Sequence, residues 1–139
     1  MVKRVYLDSG VLLAAFKGKD DLCNKAIQIL DDPNRKLLVS DAVWLEVMPK
    51  PLYEKRRQEV EFYETVFAAA ERLAWNISSL AHAAGLAQKY GIATMDAIHI
   101  AHAIDAKADE FVTSEKPSKP MFRVKEISMR SIRGNVTCG

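Results

Sequence analysis

Four carboxylates in this sequence stand where they could do chemistry together: Asp8, Glu46, Asp96 and Glu115. Asp8 closes the short apolar run Val5-Tyr6-Leu7 and precedes Ser9-Gly10, so it sits where a strand turns into a helix. Glu115 follows a second such run, Glu110-Phe111-Val112-Thr113. Asp96 falls in the first turn of the apolar helix Thr94 to Ile104, where free N–H groups and the helix dipole favour negative charge. Taken alone it reads as a capping residue. Glu46 lies among Val43, Trp44 and Leu45, surroundings in which a carboxylate is costly unless it is paired or bound to a cation. Acids gathered in one place raise one another's pKa, and a hard divalent cation relieves that repulsion. All-oxygen ligation selects Mg²⁺ or Mn²⁺ over zinc. Such an ion activates water and offsets charge on a phosphoryl group, so the chemistry is hydrolysis of a phosphate ester.

The elements around these acids have to bring them together. Short continuous apolar runs at Val5–Leu7, Leu37–Val39 and Phe111–Val112 are the mark of parallel strands covered on both faces. Leu73–Ile77 adds a further candidate, and the alternating Met121–Ile127 reads as a half-exposed edge strand. Helical patterns fill the intervals, among them 11–16, 22–30, 42–48, a long charged 52–73, and 80–90 ending at Gly91. Alternating strands and helices make an α/β protein, a three-layer α/β/α sandwich with a mostly parallel central sheet. Parallel strands present their carboxyl ends on one edge, where ligands bind. Asp8, Asp96 and Glu115 therefore meet at that edge, and Glu46 joins them only if its helix crosses it. Ser40, ahead of Glu46, caps that helix.

With 139 residues the chain is expected to form one domain, 1–139, with a basic C-terminal segment 116–139 whose end is poorly ordered. Between Lys116 and Arg133 six basic residues face one acid, a local +5 in a chain of net +2, so the remainder carries −3. That asymmetry suits a polyanion such as RNA. No apolar run approaches the roughly 20 residues that cross a bilayer. Met1 to Asp8 lacks the apolar stretch of a signal peptide, so a cytoplasmic location is expected. Cys23 and Cys138 have neither zinc-site nor disulfide spacing and are expected to be free thiols without a role.

These motifs, in this order, resemble those of a known family. Asp8-Ser9-Gly10-Val11-Leu12, Ser40 with Glu46, Asp96-Ala97-Ile98-His99-Ile100-Ala101-His102-Ala103 and Ala108 to Glu115 are similar to the PIN-domain pattern, and within it to the VapC-type toxin ribonucleases. The resemblance spans about Val5 to Ile127. It implies an endoribonuclease dependent on Mg²⁺ or Mn²⁺ that leaves a 5′-phosphate and a 3′-hydroxyl. Asp8, Glu46 and Asp96 would be metal-ligating acids. Glu115 stands where an aspartate is usual, Thr113 matches the hydroxyl residue beside that acid, and Ser9 the one after the first aspartate. Gly10 departs from the usual asparagine. The resemblance further implies a VapB-like antitoxin as partner, whose C-terminal segment would enter the cleft, and a homodimer.

His99 and His102 flank the site in sequence, and His99 lies three residues from Asp96 on the same helix face. Both, with His82, are expected to pack or to support rather than to catalyse. Two enzymatic rivals fail on the residues: a haloacid-dehalogenase-like phosphatase needs an aspartate where Gly10 stands, and a receiver domain needs an acidic pair before its first helix. A structure-specific DNA nuclease needs an arch that this length does not hold. The alternative that remains is a PIN-like module that binds RNA or a protein without cleaving.

Overall fold

The computed structural model describes residues 2–133; Cys138 and the end of the basic segment lie outside them. Lys3–Leu7 (β1), Arg35–Ser40 (β2), Glu71–Leu73 (β3), Glu110–Thr113 (β4) and Ser128–Ser131 (β5) form one sheet in the order β3-β2-β1-β4-β5. Every pairing is parallel, with Tyr6 beside Leu38 on one side and beside Phe111 on the other. Val5, Tyr6 and Leu7 are all fully buried. Successive strand residues point to opposite faces, so burial of all three means that both faces of the sheet are covered. The ring of Tyr6 stacks on Phe111 at 5.3 Å, which joins the central strands through their side chains as well as their backbones.

Seven α-helices connect the strands: Ser9–Lys17 (α1), Asp20–Asp31 (α2), Asp41–Val47 (α3), Pro49–Tyr53 (α4), Arg57–Ala69 (α5), Ile77–Tyr90 (α6) and Thr94–Asp105 (α7). Among the described residues none is long and apolar enough to cross a membrane. The caps follow the side-chain chemistry. The Asp8 carboxylate accepts from the Ser9 N–H at the start of α1, and the Ser40 hydroxyl accepts from Val43 N–H at the start of α3. Asn76 caps α6, its side chain accepting from Ser79 N–H. Gly91 ends α6 in the left-handed region at φ 65°.

Three features differ from the sequence reading. The long 52–73 helix is two helices, because Pro49 and Pro51 initiate α4 and the chain turns at Lys55 with φ 57°. The strand expected at Leu73–Ile77 lies earlier, at Glu71–Leu73. The expected edge strand Met121–Ile127 is instead a 3₁₀ turn, Pro120–Arg123, followed by a connection, and the edge strand is Ser128–Ser131. Met121, Val124 and Ile127 are the buried residues of this segment. They recur every third position, the period of a 3₁₀ turn, which alternation conceals. β5 has little apolar content of its own; it is held by pairing with β4 and by the Arg130 Nε–Glu110 Oε2 ion pair at 2.8 Å. The basic segment is thus built into the sheet as far as Ser131, and its end, expected to be poorly ordered, lies outside the described residues. Cys23 is a free thiol whose Sγ lies 3.5 Å from the Ala15 carbonyl oxygen.

Candidate active site

Chain direction changes sides at β1. After β1 the chain builds β2 and β3 outward on one flank, then returns to place β4 and β5 on the other. The crevice at the carboxyl ends of β1 and β4 is therefore the topological switch point, the favoured ligand site of open parallel sheets. Asp8 leaves β1 there and Glu115 leaves β4 there.

Asp8 is fixed from three directions. Its backbone N–H donates to the Val112 carbonyl at 2.9 Å, locking the end of β1 to β4. Its carboxylate accepts from Ser9 N–H at 2.8 Å and from the Thr113 hydroxyl at 2.9 Å. It is only 7% exposed, and burial pushes its carboxyl up, against the pull of His99, Thr113 and Ser9. Thr113 Oγ1 also accepts from Glu115 N–H at 3.1 Å. One hydroxyl thereby sets the spacing between two of the four acids.

Glu46 does reach the edge. Its Oε1 lies 2.6 Å from His99 Nε2, so α3 carries the acid across to meet α7. Burial raises the Glu46 pKa, but the His99 hydrogen bond and charge, with the Ser9 hydroxyl, outweigh it and hold this carboxyl below its ordinary value. Asp96, in the first turn of α7, has the opposite balance. Burial comes first, then the charges of Asp8 and Glu115, and together they push it up to about 6 despite His99. Glu115 is more open, with Lys119 Nζ 3.9 Å away. Asp8, Glu46 and His99 each offer one ligand atom within 4.8 Å of the others, the one such group among the described residues. Asp96 and Glu115 are not in this group; Asp96 acts on His99 through charge, and Glu115 acts on Asp96.

His99 is the residue whose part sequence reasoning understated. It is 1% exposed, and its Nε2 lies between Glu46 and Asp8, 3.7 Å from Asp8 Oδ1. Its Nδ1 lies 2.8 Å from the Tyr6 hydroxyl, which in turn lies 2.7 Å from Ser40 Oγ. Burial lowers the imidazole pKa, but the hydrogen bond to Glu46 and the charges of Asp8, Glu46 and Asp96 raise it further, and the net shift is upward. Burial also raises the Tyr6 pKa and keeps it a phenol. The three-residue spacing from Asp96 was the available signal. His102 packs as expected, donating from Nδ1 to the Ile98 carbonyl at 2.8 Å and meeting Trp75 edge-on at 5.8 Å. His82 sits away from the acids, 2.9 Å from Asp105 Oδ1.

Gly10 has a steric reason. A Cβ there would lie 1.9 Å from Ser114 Oγ and 3.0 Å from Ser114 Cβ. The glycine makes room for the serine that separates Thr113 from Glu115. Gly10→Ala is expected to destabilise the fold by about 1–3 kcal/mol, since the Ser114 hydroxyl can rotate away but its Cβ cannot. Adding Ser114→Gly is expected to recover most of that loss in urea unfolding. An additive double variant would show that the two positions do not press on each other.

The donor set suits a divalent cation: the Asp8 and Glu46 carboxylates and His99 offer ligand atoms close together, and the Asp96 carboxyl is raised by burial first and then by the charges of Asp8 and Glu115. The PIN domain profile matches residues 5–116. A comparison with curated proteins finds no significant match. Among solved structures, VapBC2 of Rickettsia felis bound to a promoter DNA fragment is similar with TM-score 0.70 at 17% identity, covering 92% of this chain and 98% of that one. A toxin–antitoxin complex of Klebsiella pneumoniae is similar with TM-score 0.69 at 20% identity, covering 88% and 94%. Mycobacterium tuberculosis VapC20, described as a sarcin-ricin loop cleaving toxin, is similar with TM-score 0.62 at 11% identity, covering 88% and 98%. At such identities the likeness speaks for the fold, while the profile spans most of the sequence, from β1 past Glu115. The chain belongs to the PIN domain family.

Proposed function

We propose that this protein is a divalent-metal-dependent endoribonuclease and the toxin of a toxin–antitoxin pair, active in the cytoplasm. The observation that carries the reading is the convergence of Asp8 and Glu46 on His99 Nε2 at the switch point, with an Asp96 carboxyl pushed up to about 6 by burial and then by Asp8 and Glu115. Asp8, Glu46 and Asp96 would hold Mg²⁺ or Mn²⁺, with Glu115 at the open side. A cation bound there supplies an activated water and offsets charge on the scissile phosphate, leaving a 5′-phosphate and a 3′-hydroxyl. Thr113 and Ser9 would hold Asp8 in register, and the Ser9 hydroxyl also touches Glu46.

A basic groove beside the site supports an RNA substrate. Gly10, Lys17, Ser114 and Arg133 line a hollow next to the acids, and Arg133 and Leu22 are shared with a larger one bordered by Lys25, Lys116 and Ser118. The cations that would steer the strand come from α1, α2 and the 116–133 segment. The structural neighbours include VapBC2 of Rickettsia felis and a toxin–antitoxin complex of Klebsiella pneumoniae, which supports a VapB-like antitoxin as partner; a homodimeric toxin belongs to the same proposal.

The test is cleavage of single-stranded and structured RNA by purified protein with Mg²⁺ or Mn²⁺, in EDTA, and by Asp96→Asn. Cleavage that requires the metal and is lost in the variant is the expected result. Metal-independent cleavage, or equal rates for both proteins, would move the chemistry elsewhere. RNA binding without any cleavage would establish the non-catalytic PIN module instead.

A further inference from the structure

We propose that His99 Nε2 is itself a ligand of the divalent cation, making the site a mixed nitrogen–oxygen centre that prefers Mn²⁺ to Mg²⁺. This rests on the metal-dependent reading above and deepens it.

The imidazole faces the right way. Nε2 points into the acid cluster, 2.6 Å from Glu46 Oε1 and 3.7 Å from Asp8 Oδ1. These three residues, rather than the acids alone, bring their ligand atoms within 4.8 Å of one another. A cation about 2.1 Å from each donor needs its neighbouring ligands about 3 Å apart, so the Glu46–His99 pair has only to open slightly.

The groups behind the ring suit a ligand equally well. A histidine that binds a metal through one nitrogen has the other held by a hydrogen-bond partner, which fixes its tautomer and orientation. Here Nδ1 meets the Tyr6 hydroxyl at 2.8 Å, and that hydroxyl meets Ser40 Oγ at 2.7 Å. The chain Nδ1–Tyr6–Ser40 serves both tautomers, because each hydroxyl both donates and accepts. With Nε2–H donated to Glu46, Ser40 donates to Tyr6 and Tyr6 donates to Nδ1. With the hydroxyls reversed, Nδ1–H donates to Tyr6, Tyr6 donates to Ser40, and the Nε2 lone pair faces the carboxylates. The first arrangement pairs both ring nitrogens without a cation, and the second pairs Nε2 only once a cation is bound; the two differ by a proton moved from Nε2 to Nδ1. The ring is buried and tilted 56° against Tyr6.

The consequence is selectivity. Mg²⁺ is ligated by oxygen and gives up water reluctantly, whereas imidazole is a good ligand for the later divalent ions. Mn²⁺ accepts both kinds of donor.

The experiment is pulsed electron paramagnetic resonance of the Mn²⁺-loaded, RNA-free protein carrying ¹⁵N-labelled histidine, alongside Mn²⁺ and Mg²⁺ titrations followed by thermal shift. A histidine nitrogen coupling on bound Mn²⁺, absent in His99→Gln, is expected, with Mn²⁺ binding at least tenfold tighter than Mg²⁺ and that ratio reduced in the variant. Mn²⁺ bound without the coupling would overturn the His99 assignment and leave the carboxylate site standing. A coupling that survives in His99→Gln would overturn it too, by pointing to another histidine. Failure to bind Mn²⁺ at all would take down the metal reading together with this one. The labelled wild-type spectrum decides the matter even if His99→Gln does not fold.

Discussion

Asp8→Asn is expected to reduce RNA cleavage by more than about 100-fold, beyond the 10–100-fold that loss of an outer-sphere partner typically costs. The fold should not suffer. Asparagine keeps an oxygen to accept from Ser9 N–H, now made at 2.8 Å, and its amide can donate to Thr113 Oγ1 in place of the contact at 2.9 Å. Burial already makes the charge at Asp8 unfavourable, so neutralising it does not remove a stabilising term. What vanishes is the negative ligand at the centre of the crevice. Initial cleavage rates at matched protein concentration, with thermal unfolding as control, make the comparison. A near-wild-type rate from well-folded Asp8→Asn protein would place the reaction centre somewhere other than the switch point.

The second large effect is a reversal produced by Asp96→Asn. Its carboxyl titrates at about 6 in the fold, against an ordinary value of 3.8. Between those values the native protein holds a proton that the unfolded chain has released, so stability falls as pH rises through that window and stays lower above it. Neutralising the residue relieves the penalty at neutral pH. Screening over its exposed part and the loss of a charge favoured in the first turn of α7 discount the gain to about 1 kcal/mol, or roughly 3 °C in melting temperature. A cation reverses the order. At a metal concentration 100 times its Kd, binding stabilises the wild type by about 2.7 kcal/mol, and Asp96→Asn should lose most of that. Melting curves at pH 5 and 7, with EDTA or Mn²⁺, check both halves. If Asp96→Asn melts below wild type in EDTA at pH 7, Asp96 is a capping residue and not a strained ligand.

The parts of the site carried by local pattern were visible in the sequence. Asp8 and Thr113 each close a short apolar strand, and a strand's carboxyl end is a geometrical position that alternation and run length reveal. Asp96 was visible as an acid in the first turn of an unusually apolar helix. Glu46 was visible as an expensive acid, but whether it reached the crevice depended on where α3 crosses, and strand or helix period does not encode that. His99 was harder still. Its significance lies in partners 93 and 53 positions away, Tyr6 and Glu46, and a buried histidine on an apolar helix looks the same in sequence whether it packs or ligates. The edge strand escaped for a related reason: Ser128–Ser131 has almost no apolar signal, being held by its neighbour and by Arg130, while Met121–Ile127 imitates a strand with a three-residue period.

The switch-point topology has a consequence for timing. Asp8 emerges almost at the start of the chain, yet its side chain is held by Thr113, 105 residues later, and its backbone by Val112. Glu46, Asp96 and Glu115 arrive one after another in between and beyond. Pairings this distant in sequence form late, because loop closure has to be met before the contact stabilises anything. No stretch that stops short of Glu115 contains all four acids, and a partly synthesised chain that lacks β4 cannot bring them together. For a protein proposed to cut RNA, the most dangerous moment is translation, when it is tethered beside its own message and the ribosome. The strand order keeps a growing chain harmless until β4 has left the ribosome and closed against β1.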